Sequence, residues 1–342
     1  MSASEIRLAS QFSLPRHGGD PAAAETRFGK PKDGWLDLST GINPFPYPVP
    51  ALPGSAWQNL PDSGTDLALR RAAAQAWGEL DADAIVAAPG TQALIEALAR
   101  LYGPVKVAVL VPTYPGHAEA FAQAGHEIIP CATIEELAVG QIAIVVNPNN
   151  PDGREIAPDE LRALSVAMAE RGGLLIVDEA FVDLTPELSI AAPVASGLLV
   201  LRSFGKFFGL AGLRLGFAIG EPDVIRLLRE ALGLWPVSGP ALEIGRIALA
   251  DHAWASAMRS KLATETARMD VLLTKGGLAI LGGTSLFRLA GAPRAWTLFE
   301  YLGKRGILVR PFPEQPRWLR FGLPADAAAR KRLATALAEW PD

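Results

Sequence analysis

The segment GLLIVDEAF, residues 173–181, contains an apolar run of strand length that is followed by two acidic residues. It shows no alternation of polar and apolar positions, which is typical of a strand buried on both faces of a sheet. Similar runs occur at VKVAVLV (105–111), IAIVV (142–146) and LLVLRSF (198–204), and segments with helical periodicity separate them. The pattern predicts an α/β fold in which helices cover both faces of a mostly parallel sheet.

The rest of the chain predicts a second, smaller domain. A long helical stretch at about 240–276 is followed by GTSLFRLA, a helix around RAWTLFEYLGKRG, then ILVRPF, WLRFGLP and a last helix. We therefore expect an N-terminal arm of little independent structure (1–35), a large domain (36–235) and a small C-terminal α/β domain (236–342). The segment GINPFPYPVPALPG (41–54) is too rich in proline for a helix or a central strand. It is either an ordered extended connection or a flexible one.

Composition limits the classes of partner. Of the 342 residues 49% are hydrophobic, which allows a large core, and 32 basic against 36 acidic residues give a net charge of −4. No basic run is interleaved with aromatic residues, so we expect neither nucleic acid nor an anionic membrane as a partner. The four histidines are scattered along the chain, and the sequence therefore predicts no metal cluster.

The N-terminal segment MSASEIRLASQF has neither the apolar core nor the cleavage pattern of a signal peptide. One cysteine, Cys131, excludes an internal disulfide, and no apolar stretch approaches the roughly 18 residues of a membrane span. From these features we expect a cytoplasmic protein.

Residues able to carry chemistry follow the predicted strands, and ligands of open parallel sheets bind beyond the carboxyl ends of the strands. They are Tyr114 after the run at 105–111, Asn150 after 142–146, Asp178 after GLLIV, and Ser203 and Lys206 at the end of the run from 198. Upstream, Gly90 and Thr91 of APGTQALIEAL begin a helix, where free N–H groups favour a phosphate.

Pyridoxal 5′-phosphate needs all of these groups together, because it combines an aldehyde, a protonated pyridine that accepts electrons, and a phosphate. Lys206 is predicted to hold the aldehyde as a Schiff base, and Asp178 to pair with the pyridine nitrogen. Tyr114 would stack on the ring and Asn150 would bond its hydroxyl. The predicted phosphate ligands are Gly90, Thr91, Gln92, Ser203 and Arg214.

Each of these residues also has a structural interpretation. Asp178 fits a strand-end cap, NPNNPDG fits a tight turn, and Arg214 fits a structural ion pair. Ser203 and Lys206 also form an S-x-x-K pair, which in penicillin-binding enzymes marks a serine nucleophile. That chemistry requires S-D-N and K-T-G elements, and the chain contains neither. The joint occurrence of the strand-end residues favours the cofactor interpretation.

The motifs PGTQALIEAL, PTYPGHAEAF, NPNNPDG, DEAF, SFGKFFGLAGLRLGF and ILVRPF…WLRFGLP resemble the fold type I pyridoxal-phosphate enzymes of the histidinol-phosphate aminotransferase group. The resemblance runs from about residue 15 to the end. It implies a large domain with a mostly parallel seven-stranded sheet, a small C-terminal domain, and a homodimer. Within the group, RHGGD followed by LDLSTGINPF is more similar to the L-threonine-O-3-phosphate decarboxylases of cobalamin biosynthesis, which carry a His-Gly-Gly segment there.

The resemblance also implies a site for a substrate with two anionic ends. Arg320 would hold the substrate carboxylate, while His17, Gly18 and Arg310 would help to hold its phosphate. Three positions depart from the family patterns: Gly41 stands where the decarboxylases have a substrate-contacting asparagine, Leu60 where a tyrosine reaches the neighbouring subunit's phosphate, and Phe181 where the aminotransferases have a tyrosine. Phe181 mildly favours a decarboxylase. Gly41 argues against a substrate identical to that of the known decarboxylases.

Three activities remain open at this point. A decarboxylase of L-threonine O-3-phosphate is preferred; an aminotransferase of histidinol phosphate or a related amino acid would use the same cofactor residues. A catalytically silent cofactor-binding regulator is disfavoured, because no DNA-binding module precedes the domain in this sequence. The residues predict the cofactor better than the reaction, since the two enzymes differ only in which bond at Cα is held perpendicular to the ring.

Overall fold

The computed structural model of the chain describes residues 18–341. Contacts divide these residues into two compact units, one formed by residues 42–263 with 283–285, the other by residues up to Gly41 with 264–282 and from Leu286 onwards. The chain passes from one unit to the other inside the helix His252–Lys275 and not near residue 235. The sequence gives no signal at this position, because no proline, glycine or turn marks it. Within the described part of the chain, residues 18–41 group with the C-terminal residues.

The first unit is built on a mixed sheet of seven strands in the order β2-β8-β7-β6-β5-β3-β4. These strands are β2 (Ile85–Ala88), β3 (Lys106–Leu110), β4 (Glu127–Cys131), β5 (Ile142–Val146), β6 (Leu174–Asp178), β7 (Leu198–Ser203) and β8 (Gly216–Gly220). The pairings among β3 to β7 are parallel, whereas β8 runs antiparallel to both β7 and β2. The predicted α/β class and the mostly parallel seven-stranded sheet are confirmed.

The helices of this unit follow the strands in sequence. They are α2 (Ser55–Gln58), α3 (Ser63–Ala76), α4 (Thr91–Leu101), α5 (Pro115–Gln123), α6 (Pro158–Glu170), α7 (Phe204–Phe207), α8 (Pro222–Leu232), α9 (Gly239–Ala250) and the first half of α10 (His252–Lys275). The central strands are apolar and buried along their length, as in β5 and β6. Together with Leu94 and Leu98 of α4, they form a core that holds the carboxyl ends of the strands rigidly.

The second unit contains the shorter strands and the terminal helices. They are α1 (Pro21–Phe28), β1 (Leu36–Asp37), β9 (Ala279–Thr284), β10 (Phe287–Gly291), α11 (Ala295–Lys304), β11 (Ile307–Leu308), β12 (Arg310–Pro311), β13 (Trp318–Gly322) and α12 (Ala327–Ala338). The sheet order is β12-β13-β10-β9, and β13 runs antiparallel to both of its neighbours. A separate parallel pair joins β1 to β11. The predicted small α/β domain is thus present as a fold.

Two local predictions differ from the structure. Part of the expected arm is the helix α1, which starts because the Asp20 side chain accepts a hydrogen bond from the N–H of Ala23 and Pro21 presets the first helical residue. The helical stretch predicted at 240–276 is two helices that break at Asp251. The Asp251 carboxylate accepts the N–H of Trp254 at 2.9 Å and so caps α10.

The proline-rich segment at 41–54 contains no helix or strand, as predicted, and its first half is anchored by specific contacts. The Tyr47 N–H donates to the carbonyl of Phe208 at 2.9 Å, and the Tyr47 hydroxyl donates to Asp251 at 3.1 Å. The Tyr47 ring packs edge-on against Trp254, with centroids 5.0 Å apart. These contacts favour the ordered alternative over the flexible one.

The Tyr47 contact predicts a specific pH dependence of stability. Burial, followed by the Asp251 carboxylate, raises the pKa of Tyr47 above its ordinary 10.0. The folded protein keeps this proton when the unfolded chain begins to lose it, so the contribution is complete below about pH 10 and falls as the pH rises towards the folded-state pKa. At pH 8 we expect Tyr47→Phe to be less stable than the wild type by about 1.5–3 kcal/mol, the usual contribution of a hydrogen bond to a charged group.

Urea unfolding of both proteins at several pH values between about 8 and 11 tests this expectation, because titrations elsewhere cancel in the difference. The wild-type advantage should shrink above pH 10. Parallel curves for the two proteins would contradict it.

The helices of residues 18–341 include none that is both long and apolar enough to cross a membrane.

Candidate active site

A cavity of about 210 Å³ opens at the carboxyl ends of the parallel strands, within the unit of residues 42–263. All nine residues predicted to bind the cofactor line it. They are Gly90, Thr91, Gln92, Tyr114, Asn150, Asp178, Ser203, Lys206 and Arg214. The sequence places these residues in separate segments, and the strand order β7-β6-β5-β3 brings the strand ends among them side by side.

Asp178, the last residue of β6, is buried at one wall of the cavity. One carboxylate oxygen, Oδ1, accepts the N–H of Ala180 at 3.0 Å, and the other, Oδ2, lies 2.8 Å from Nε2 of His117. His117 is fully buried at the start of α5, and its Nδ1 has no hydrogen-bond partner within the described residues. These bonds fix the carboxylate, so that its orientation does not depend on a ligand.

Sequence reasoning missed His117, which it counted among scattered histidines. The available signal was its position in PTYPGH, three residues after Tyr114, where a helix that starts at Pro115 puts both side chains on one face. In the structure the two rings meet edge to face, with centroids 6.0 Å apart. His117 and Asp178 are 61 positions apart in the sequence, so no local pattern reveals their contact.

Glu179 follows Asp178 directly but faces the opposite side of the sheet, because successive side chains of an extended chain alternate. It is fully buried and pairs with Arg202 at 3.0 Å. Burial raises the pKa of Glu179, and the positive charge of Arg202 opposes that rise. Hydrogen bonds from the Ser189 hydroxyl and the Ile190 N–H, both at 2.7 Å, complete its surroundings. The DEAF motif thus supplies one carboxylate to the cavity and one to the interior.

The loop NPNNPDG contains three asparagines, of which two are committed to the loop itself. Asn147 exchanges hydrogen bonds with the backbone of Ile156, and the Asn149 amide donates to the carbonyl of Pro112 and to Asp152. The hydroxyl of Thr113 donates to Asn149 at 2.7 Å. Only Asn150 of the three lines the cavity, so the turn interpretation and the ligand interpretation hold for different residues of one motif.

Lys206 lies on α7, the four-residue helix that follows β7 directly. Its Nζ stands 5.7 Å from the centroid of the Phe181 ring, which is buried in the cavity wall. Ser203 ends β7 and shares the cavity, and its side chain does not cap the helix. The amine, the carboxylate of Asp178 and the amide of Asn150 therefore surround a single space.

Another part of the cavity lining is suited to an anion. Gly90 is the N-cap residue of helix α4 and provides no side chain to cap it. The first N–H groups of the helix are therefore open to a ligand. A Cβ added at Gly90 would come within 2.6 Å of Nη2 of Arg214, and one added at Gly216 within 2.6 Å of the N–H nitrogen of Thr91. The two glycines allow the guanidinium and the helix N-terminus to stand together, which is a phosphate-binding arrangement.

Tyr114 borders this part of the cavity from α5. Its hydroxyl donates to Gln92 at 3.1 Å, and a Cβ at Gly116 would come within 2.5 Å of its ring. The ring therefore folds back over the first turn of α5, which only glycine at 116 permits. These contacts fix the ring of Tyr114 in the lining of the cavity.

The residues expected to bind substrate fall in different places. Asn150 lines the cavity, His17 lies outside the described residues, and Gly18, Gly41, Arg310 and Arg320 belong to the second unit. Of the positions that depart from the family patterns, Leu60 is exposed and Phe181 lines the cavity.

Within the second unit, Arg310 and Arg320 are cross-strand partners on β12 and β13. Arg320 is 7% exposed and donates from Nη2 to the carbonyl of Ser39 at 2.9 Å. Burial, followed by the like charge of Arg310, lowers the pKa of Arg320 to about 9. A Cβ at Gly18 would come within 2.3 Å of the same carbonyl oxygen, so Gly18 packs against this segment. Two buried or half-buried positive charges side by side favour an anionic ligand.

Among residues 18–341, no group of three or more His, Cys, Asp or Glu side chains is arranged to hold a metal ion.

Comparisons with known proteins identify the family of the chain. A family model described as aminotransferase class I and II matches residues 34–337. A threonine-phosphate decarboxylase of Pseudomonas aeruginosa is 46% identical over 325 residues, which cover 94% of this chain and 96% of that protein. A histidinol-phosphate aminotransferase of Cronobacter sakazakii is 29% identical and is covered to 86%, as is this chain.

Among solved structures, the histidinol-phosphate aminotransferase of Sinorhizobium meliloti in complex with pyridoxal 5′-phosphate superposes with a TM-score of 0.82. It is 24% identical, and the match covers 96% of this chain and 95% of that one, which shows a common fold. The family match and the fold lead to one conclusion. The chain belongs to the class I and II aminotransferase family.

Proposed function

We propose that the protein is a pyridoxal-phosphate-dependent lyase that decarboxylates L-threonine O-3-phosphate to (R)-1-aminopropan-2-yl phosphate, a step of cobalamin biosynthesis. The observation that carries the proposal is the identity of 46% to a threonine-phosphate decarboxylase over nearly the whole of both chains. Histidinol-phosphate aminotransferases match at 28–29%. An aminotransferase is therefore the more distant alternative.

The cavity fits the cofactor on structural grounds alone. The open N-terminus of α4 and the guanidinium of Arg214 form a cradle that a Cβ at Gly90 would fill. The same cavity is lined by an amine, a carboxylate and an amide, from Lys206, Asp178 and Asn150. These are the groups that an aldehyde, a pyridinium nitrogen and a ring hydroxyl require.

When bound, the cofactor supplies an electron sink for the bond that breaks at Cα of the substrate. Lys206 would hold the cofactor covalently in the resting enzyme, and its free amine would deliver a proton to Cα after carbon dioxide leaves. Asp178, held by His117, would keep a proton on the ring nitrogen and so preserve the positive charge of the ring. Tyr114 would cover the ring and restrict the access of water.

The second unit supplies residues suited to a substrate with two anionic ends. We propose that Arg320 binds the substrate carboxylate bidentately and that Arg310, Gly18 and His17 bind its phosphate. The support is the adjacent pair of guanidiniums on β12 and β13, whose mutual repulsion an anion would relieve. Gly41, where the decarboxylases have asparagine, would leave the substrate one contact fewer.

A two-substrate assay tests the reaction. Purified protein with added cofactor is offered L-threonine O-3-phosphate, and separately histidinol phosphate with 2-oxoglutarate, while carbon dioxide and glutamate are measured. We expect carbon dioxide from the first mixture and no glutamate from the second. Glutamate without carbon dioxide would replace the decarboxylase by the aminotransferase, and the absence of both products would indicate a silent cofactor-binding protein.

Gly90→Ala should weaken cofactor binding. The added methyl would overlap the guanidinium of Arg214, and the φ of +86° at Gly90 is unfavourable for any side chain. If the change removes about two phosphate hydrogen bonds to charged groups, at about 1.5–3 kcal/mol each, the dissociation constant rises at least about 100-fold. Fluorescence titration of the cofactor-free protein measures it.

Gly103→Ala is the matched control for this prediction, because a Cβ at Gly103 meets no atom within 4 Å. It should bind the cofactor as the wild type does. Wild-type affinity in Gly90→Ala would remove Gly90 and Arg214 from the phosphate site.

A homodimer and a cytoplasmic location stay predictions. The homodimer is supported by the family resemblance, and sedimentation equilibrium of the purified protein measures it.

A further inference from the structure

We propose that Asn43 is a positioning residue for the lysine-bearing helix α7, through hydrogen bonds that hold the carboxyl end of that helix. The inference rests on the proposed function, in which Lys206 is the residue that binds the cofactor. Asn43 lies in the proline-rich segment, far in sequence from every residue of the cavity. It does not line the cavity itself.

Asn43 bonds α7 through both its backbone and its side chain. Its N–H donates to the carbonyl of Lys206 at 3.0 Å, and its side-chain amide Nδ2 donates to the carbonyl of Phe207 at 2.8 Å. Its Oδ1 accepts the N–H of Phe45 at 2.9 Å, which fixes the amide orientation. Asn43 is 2% exposed, so both bonds are shielded from water.

A second residue of the same segment extends this contact. The N–H of Tyr47 donates to the carbonyl of Phe208, the residue that caps α7. Three successive carbonyls, those of Lys206, Phe207 and Phe208, are thus bound by the segment that contains Asn43.

Helix α7 needs such external partners because it is only four residues long. An isolated helix of this length is unstable, and its last carbonyls have no partner within the helix. At its other end, the N–H of Phe204 bonds the carbonyl of Leu215 at 3.3 Å, a long contact. The bonds from Asn43, at 3.0 and 2.8 Å, and the bond from Tyr47, at 2.9 Å, are all shorter than this contact.

The close approach of the two segments shows that the contact is built into the fold. Gly209, with a φ of +67°, follows the helix, and a Cβ there would come within 2.7 Å of the carbonyl oxygen of Asn43 and 2.8 Å of Cα of Pro46. The backbone at Gly209 passes so close to Asn43 and Pro46 that no residue larger than glycine fits there. The rings of Phe208 and Tyr47 also pack edge-on, with centroids 6.2 Å apart.

The consequence for the reaction is the placement of the Lys206 amine. A lysine side chain has four rotatable bonds, so the position of its amine depends on a backbone that does not move, and a misplacement of about 1 Å at a reacting group can cost on the order of 100-fold in rate. Loss of the Asn43 amide should loosen α7 without altering any group that touches the cofactor or the substrate.

Asn43→Ala in the holoenzyme tests the proposal with three measurements: amide hydrogen exchange in a peptide covering residues 203–209, the rate of cofactor release followed by absorbance, and kcat and KM. We expect exchange and cofactor release to become at least about 10-fold faster, and kcat to fall about 10- to 100-fold with KM changed less than threefold. A peptide covering β6 should exchange at the wild-type rate.

Two further variants separate positioning from general stability. Asn43→Asp keeps an acceptor for Phe45 but cannot donate to Phe207 as a carboxylate, so it should behave like Asn43→Ala. Leu161→Ala, on the buried face of α6, lowers stability away from α7 and should leave all three measurements at wild-type values. If Asn43→Ala fails to fold, Asn43→Asp carries the same test.

The outcomes distinguish this inference from the proposed function. Wild-type exchange, cofactor release and kcat in either Asn43 variant would overturn the positioning role while leaving the lysine assignment intact. Equal effects in Leu161→Ala would show that Asn43 acts through stability alone. A wild-type protein whose cofactor is not fixed to Lys206 by borohydride would overturn the proposed function, and the positioning role with it.

Discussion

Lys206→Ala is expected to abolish the covalent attachment of the cofactor and to lower kcat by about 10⁴-fold or more. Proton transfer by a positioned side chain alone contributes about 10²–10⁴-fold, and Lys206 is proposed to act as the covalent anchor as well. The cavity offers no replacement amine among the residues that line it. Borohydride reduction followed by peptide mapping detects the attachment, and single-turnover release of carbon dioxide measures the rate.

Lys261→Ala is the control for this experiment. Lys261 lies on α10 in the same unit, where its Nζ stands 3.6 Å from the centroid of the Phe45 ring. It does not line the cavity, so its loss should leave the cofactor attached to Lys206. Cofactor that is still fixed by borohydride in Lys206→Ala would show that another lysine carries it.

Asp178→Asn should lower kcat by about 10²–10³-fold, the usual cost of removing one preorganised electrostatic group. The change keeps the size of the side chain but removes the negative charge that would hold a proton on the ring nitrogen. Because the fold retains the bond from Ala180 and a polar neighbour for His117, we expect the melting temperature to change little. Steady-state decarboxylation and calorimetry measure the two quantities.

Glu179→Gln is the neighbouring carboxylate variant and should behave in the opposite way. Glu179 pairs with Arg202 in the interior, and Arg202 also pairs with Asp183. Breaking a buried ion pair costs about 3–5 kcal/mol when one charge is left uncompensated. Because Asp183 still faces Arg202 in the variant, we expect a loss of stability below that range. Stability should fall while kcat stays within a few-fold of the wild type, because Glu179 does not line the cavity. A large loss of kcat in Glu179→Gln, or none in Asp178→Asn, would contradict the assignment of the two carboxylates.

The sequence predicted the sheet well because its signal is local. Uninterrupted apolar runs mark strands buried on both faces, and four of the seven strands, β3, β5, β6 and β7, coincide with the runs read from the sequence. The antiparallel insertion of β8 between β2 and β7 carried no such signal. Strand order depends on pairings between distant segments, which composition and periodicity do not encode.

The candidate site shows the same division between local and distant information. Residue types at strand ends were sufficient to list Asp178, Asn150 and Lys206, because parallel strands place their carboxyl ends along one edge of the sheet. The contact of His117 with Asp178 and that of Asn43 with α7 join residues 61 and 164 positions apart. No spacing rule covers such separations.

By itself, the sequence determined the fold class, the strand-end chemistry and the resemblance to pyridoxal-phosphate enzymes, since these depend on residue type and on neighbours a few positions away. Only the tertiary structure decided which of the three loop asparagines faces the cavity, which of two adjacent carboxylates is buried elsewhere, and what holds the lysine helix. These choices depend on hydrogen bonds and close backbone approaches, such as Gly90 against Arg214 and Gly209 against Asn43, that form only when the folded chain brings distant segments within van der Waals distance.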